Sequence, residues 1–341
     1  MNVKPMKPLG IYTLANDLVF NQLVAFLNSV EVNISSTIPI CIIPFDDQLE
    51  RIKQEIASRP NVSIFPDQNI LKTWENFACA YAQAHPEARG NPNSHPRWYQ
   101  GKLHRRFAAF HGIFEQFVYF DADSLVMKPI DDVLDKLTEY DFVFDDWEHT
   151  KLTPYAALNI PLIEETKAFS EAEIRPKLHC SSFWGSKRGL FPAEELATLQ
   201  DYLVNRGEAV WINRKGWWDD AYFFNYLTLR CERPLFNFTL SSNSQDRTGN
   251  CADADPFQDI NHILYNAQGL KPIHRLHYMG FSEKDFVKLV QGIDVGIPYK
   301  EVFLHYRFLK NPQEKPMRFR SQRLWVKLQR WMKMIQRKLR Q

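Results

Sequence analysis

Asp121 and Asp123 close the apolar run Phe117-Val118-Tyr119-Phe120 and stand one residue apart. Such a run reads as a buried strand, and carboxylates at i and i+2 can both turn toward one point where a strand becomes a loop. Two clustered anions repel unless a cation sits between them, and hard divalent cations favour oxygen ligands. The pair therefore predicts a metal site at the carboxyl end of a strand, the edge where open α/β sheets hold their ligands. The same residues also fit a plain turn, with Asp121 as its cap and Asp123 in solvent.

The elements needed to position such a pair can be read around it. Gly10 to Asp17 reads as a strand entering a polar turn, and Asn21 to Val30 has helical spacing (Leu23, Phe26, Leu27, Val30). Residues 38–45 form a second apolar run, Gln48 to Ala57 a short helix, and Val62 to Phe65 a third strand. This alternation predicts βαβ units: an α/β fold with a mostly parallel sheet flanked by helices. Residues 84–97, rich in Pro, Gly, Asn and His, read as an exposed loop. Gln100 to Phe114 is expected to be helical, with Leu103, Phe107, Phe110 and Phe114 on one face. Past residue 150 the pattern loosens. A strand is expected at Phe183-Trp184-Gly185, helices at Pro192 to Val204 and Asp219 to Leu229, and a short strand at Pro272 to His277.

Composition excludes several classes. The 341 residues are 45% hydrophobic and 14% aromatic, which is globular rather than disordered. No apolar run approaches the roughly 18 residues of a membrane span. Prolines 5 and 8 and polar Thr13, Asn16 and Asp17 break any signal-peptide core. Five scattered cysteines (41, 79, 180, 231, 251) form no zinc spacing and suit a reducing cytoplasm, where the Asn-x-Ser/Thr triplets at Asn33, Asn61 and Asn237 carry no glycan. Ten of the 42 basic residues fall in 315–341, which holds no acid, so the rest of the chain is near −8. In that tail Leu324, Trp325, Leu328, Trp331, Met332, Ile335 and Leu339 share one helical side, with basic residues around them. A basic amphipathic helix of this kind suits an anionic membrane face, or the acidic body of the chain itself. No basic face for nucleic acid is evident.

The block Tyr119-Phe120-Asp121-Ala122-Asp123-Ser124-Leu125-Val126 resembles the YLDADxxV core of nucleotide-sugar glycosyltransferases with the GT-A fold. It looks most like glycosyltransferase family 8, the glycogenin-like group. The resemblance implies that Asp121 and Asp123 meet Mn2+ (or Mg2+), which holds the diphosphate of the donor. It implies a third ligand in His277, because His277-Tyr278-Met279-Gly280 fits the start of the family's HFxGxxKPW block. Here the chain departs: Glu283 stands where the family has lysine, Lys284 comes one place late, and the PW pair is missing. Among donor-binding residues the resemblance points to Thr13, Ala15 and Asn16 after the first strand, and to Asp46 after the second. It adds Lys102 and Arg105 on the helix before the acids, then Gly280 and Lys284. Trp217-Trp218-Asp219-Asp220-Ala221-Tyr222-Phe223-Phe224-Asn225 resembles the DQDxLN helix that faces the donor sugar, which makes Asp220 and Asp219 catalytic candidates; Asp219 also suits a helix N-cap. Ser182 lies where the family has an asparagine strand and is the remaining sugar-side candidate.

The resulting expectation is a glycosyltransferase domain over 1–314 followed by the tail 315–341. Its nucleotide-binding half would be about 9–145 and its acceptor half about 146–314. It would move a sugar from a nucleotide donor, UDP-linked, to a saccharide or lipid-linked acceptor with retention. It would be cytoplasmic, peripheral at the membrane through 319–341. Two rivals stay open. A haloacid-dehalogenase-type phosphatase also uses a strand-end Asp-x-Asp, and a non-catalytic nucleotide-sugar or carbohydrate binder would account for the departures at Ala221, Tyr222 and Glu283. Asp253 to Asp259 lacks the glycine and glutamate of a calcium loop, and His104, His111 and His305 read as structural.

Overall fold

The structure is a computed structural model in which residues 7–90, 101–243, 247, 249–267 and 269–321 are described. The tail helix expected after residue 321 lies outside the described residues, as does 91–100 of the expected loop. The first strands are β1 (Lys7–Ala15), β2 (Ile40–Pro44), β3 (Val62–Ile64) and β4 (Phe114–Phe120). They are followed by β5 (Ser124–Val126), β6 (Phe142–Phe144), β7 (Phe183–Lys187) and β8 (Leu235–Asn237). Seven of them form one sheet in the order β3-β2-β1-β4-β7-β6-β8. Only β7 runs against the rest: it pairs antiparallel with β4 and β6, while the other neighbours are parallel. The carboxyl ends of β1, β2, β4 and β6 and the start of β7 therefore share one edge.

Side chains alternate between the two faces, as the period of a strand requires. Tyr12, Leu14, Phe117, Tyr119, Phe142 and Trp184 enter one core. That core is closed by the helices Gln68–Ala84, Ala193–Val204 and Asp220–Arg230. Ile11, Ile40, Ile42, Val118, Phe120 and Phe183 enter the other, beneath the helix Phe20–Asn33. A third cluster lies where β5 pairs with the short strand Arg275–His277 and the helices Glu283–Val290 and Lys300–Arg307 pack on it.

Two expectations are corrected. Gln68–Ala84, unread in the sequence, is a full helix capped by Asp67, and Pro86–Gly90 continues as a short helix, so the expected loop over 84–97 is helical up to residue 90. Residues Lys102–His111 form a 3-10 helix, not an α-helix to Phe114, and Phe114 already belongs to β4. At three residues per turn, side chains at i and i+3 stand in one row. The row His104, Phe107 and Phe110 fills the core, and the row Leu103 and Arg106 faces the sheet edge.

Candidate active site

The loop after β4 holds the two acids, and the pairing of β5 with Arg275–His277 brings in the third group. Ser124 lies opposite His277 in this antiparallel register, and the Tyr278 N–H donates to the Asp123 carbonyl at 3.0 Å. His277 Nε2 thus stands 3.4 Å from Asp123 Oδ1 and 3.9 Å from Asp121 Oδ2. One donor atom from each of the three lies within 4.8 Å of the others, the only such group among the described residues. Ligands around a cation at oxygen-bond lengths are about 3–4 Å apart, so these residues fit a single divalent ion. Two carboxylates and one imidazole suit manganese better than calcium. Burial works to raise the Asp123 pKa, but the neighbouring His277 outweighs it and leaves the carboxyl below its usual value.

From these acids a cleft of about 480 Å³ runs along the sheet edge toward β1 and β2. Its walls are Leu14, Ala15, Asn16 and Phe45 at one end, and Arg106, Asp121, Ala122 and Asp123 at the other, with Phe281 and Glu283 beside them. Asn16 donates from Nδ2 to Asp46 at 2.9 Å and accepts from the Leu18 N–H, so the turn after β1 is held in shape.

Arg106 was not expected from the sequence, yet it organises the acids. It is buried, and its Nη1 lies 3.1 Å from Asp121 Oδ1 and 3.1 Å from Asp220 Oδ2. It also donates to the carbonyl and Oγ of Ser181. Ser181 Oγ in turn donates to Asp220 Oδ2 at 2.6 Å, and the Tyr119 hydroxyl donates to Asp121 Oδ1 at 2.9 Å. Burial lowers the Arg106 pKa, but Asp121 and then Asp220 more than compensate, so the guanidinium stays charged. Burial raises the Asp220 pKa against the pull of Arg106. Asp219 caps the helix Asp220–Arg230 through the Ala221 N–H, and burial with Asp220 alongside pushes it up to about 7.

The remaining expected residues fall in different places. Ala15 and Asn16 line the cleft, and Asp46 braces Asn16 from behind. Thr13 is buried within the β1–β2 ladder rather than on the cleft. Arg105 is turned away and taken up by Glu75 and the Pro44 carbonyl, and Lys102, in the same 3-10 row, is not on the cleft wall. Ser182 is buried with its Oγ bonded to Arg275, so the serine that meets Asp220 is Ser181 instead. Gly280 has φ +93°, a left-handed turn that suits glycine, ahead of the Ser282-capped helix. On that helix Glu283 lines the cleft while Lys284 is exposed outside it.

No family model matches the sequence, and no curated protein matches it. Solved structures do match. The bifunctional glycosyltransferase WbbM superposes over 93% of this chain with a TM-score of 0.54 at 12% identity. The chain has the GT-A fold. It spans about half the length of WbbM, 53%. The galactosyltransferase LgtC, solved with donor and acceptor sugar analogues, covers 82% of this chain at 10% identity with a TM-score of 0.48. In this GT-A sheet the Asp-x-Asp strand is the fourth along the chain and central, not the opening strand of a phosphatase of the haloacid-dehalogenase type. Among the described residues no helix is long and apolar enough to cross a membrane.

Proposed function

We propose that the protein is a metal-dependent glycosyltransferase that uses a nucleotide-diphosphate sugar, UDP-linked, with residues 1–314 as its catalytic domain. The observation that carries this reading is the Asp121–Asp123–His277 group at one end of a cleft whose other end is the turn Leu14–Asn16. These three residues would hold manganese or magnesium, and a bound divalent ion supplies charge neutralisation for a diphosphate leaving group. The nucleoside lies along Ala15, Asn16 and Phe45, in the half 9–145. The diphosphate lies beside Arg106, which takes the basic role that the resemblance implies for Lys102 and Arg105. Asp220, Asp219 and Ser181 then face the sugar.

In the transfer the bond from the sugar C1 to the diphosphate oxygen breaks and a bond from C1 to an acceptor hydroxyl oxygen forms. The hydroxyl proton leaves with the nucleoside diphosphate or passes to a carboxylate. Asp219, its carboxyl raised by burial and by Asp220 alongside, is the proposed acceptor. Retention, a saccharide or lipid-linked acceptor bound by the half 146–314, and a cytoplasmic site with 319–341 on an anionic membrane complete the proposal. Hydrolysis of UDP-sugars with manganese and no acceptor tests it. Turnover that needs Asp123, with no cleavage of a generic phosphate ester, supports it; cleavage of the ester alone supports a phosphatase.

A further inference from the structure

The sheet edge has an order that extends past the metal residues. Nucleoside-facing residues follow β1 and β2, Asp121 and Asp123 follow β4, Ser181 precedes β7, and β6 comes next. Neighbouring strands lie about 4.8 Å apart, so the exit of β6 is about 10 Å beyond that of β4, roughly one sugar residue farther along the edge. That exit is Asp145-Asp146-Trp147.

Trp147 is 40% exposed, an unusual place for the largest apolar side chain. Its backbone is firmly held. The Asp146 carbonyl accepts from Asn237 Nδ2 and Thr239 Oγ1, and the Asp146 carboxylate accepts from the N–H groups of Cys180 and Glu148. The Trp147 carbonyl accepts both the N–H and the Oγ1 of Thr150. The indole rests 5.8 Å from the His149 ring, and beside it Glu148 and Lys151 pair at 2.7 Å. A rigid loop with an exposed indole and charged hydrogen-bonding groups alongside matches a pyranose, which has a C–H face and a hydroxyl edge.

We infer that Trp147 is the stacking platform of the acceptor subsite, with Glu148 and Lys151 reading hydroxyls of a saccharide. This rests on the reading of the cleft as a nucleotide-sugar site.

The test uses the full chain with UDP and manganese. Saturation-transfer NMR is recorded against a panel of methyl hexosides, N-acetylhexosaminides, uronosides and pentosides. At least one glycoside should give signals that weaken by at least about fivefold in Trp147→Leu and in Trp147→Gln, the weight of one aromatic contact. Trp147→Phe should retain most of them. No signal from any glycoside, or equal signals in the leucine and glutamine variants, overturns the platform. Stabilisation by UDP with manganese, measured on the same samples, should be the same in wild type and all three variants. If it is present, a missing saccharide effect condemns the platform alone; if wild type lacks it, the underlying site reading fails and the platform with it.

Discussion

The acids on the two sides of Arg106 are built differently. Asp121 and Asp123 keep 21% and 29% of their side-chain surface open and gather around His277, whereas Asp220 keeps 6% and is closed off by Arg106 and Ser181. The first group gathers two carboxylates and an imidazole with donor atoms within 4.8 Å of one another, a spacing that a divalent ion would fit. The second shares its counter-charge, Arg106, with Asp121, at 3.1 Å from each. Both contain carboxylates, so exposure, not residue type, separates the two groups: the loop after β4 leaves Asp121 and Asp123 partly open, while Asp220 opens a helix and is buried.

The contrast is broken most forcefully at Arg106. Arg106→Met leaves Asp220 buried and Asp121 unpaired on that side, and should cost about 3–5 kcal/mol of folding stability in urea denaturation. A loss below 1 kcal/mol would show that the sugar-side acids do not depend on it. Ser181→Ala removes a single donor to Asp220 and should cost about 1–2 kcal/mol in the same assay. Asp123→Ala, on the open side, should change metal-free stability by less than about 1 kcal/mol, because Asp123 is partly open and His277, its buried partner, keeps Asp121 at 3.9 Å. A large destabilisation there would make Asp123 a structural acid and erase the contrast.

A smaller effect concerns the scaffold behind both groups. His274, three residues before His277, lies between Asp145 Oδ2 at 2.6 Å and Asp132 Oδ2 at 3.0 Å. Burial would lower its pKa, but Asp145 and the hydrogen bonds to Asp132 and Asp145 raise it above the usual value. A raised folded pKa means the folded state holds the proton longer. Its stabilisation is therefore full below the ordinary histidine range and fades as pH rises through the higher folded value. Urea midpoints should fall from pH 6 to pH 9 more steeply in wild type than in His274→Gln; parallel profiles would show that His274 titrates alike in both states.

Much of this site was legible in the chain. Strands alternating with helices and the strand-end Asp-x-Asp pointed to the sheet edge, and His277-Tyr278-Met279-Gly280 pointed to the histidine that the fold brings beside the two acids. Arg106 was not legible, because a period of 3.6 groups Leu103, Phe107 and Phe110, while the 3-10 backbone sorts the same residues in threes and turns Arg106 to the acids and Arg105 to Glu75. Ser181 and Ser182 were indistinguishable for a similar reason: which serine faces Asp220 depends on where β7 begins. Trp147 carried no local signal, since its meaning comes from β6 lying two strands from β4 in space while following it in sequence.

Asp121, Asp123 and His277 are proposed to hold a cation for a nucleoside diphosphate. The most direct test is the melting temperature of wild type and Asp123→Ala with UDP and manganese, together and separately. A cation held by these residues should give a rise in wild type that requires both ligands and vanishes in the variant, since only a ligand bound to the folded state stabilises it. Equal shifts in the two proteins, or no shift in wild type, would contradict it.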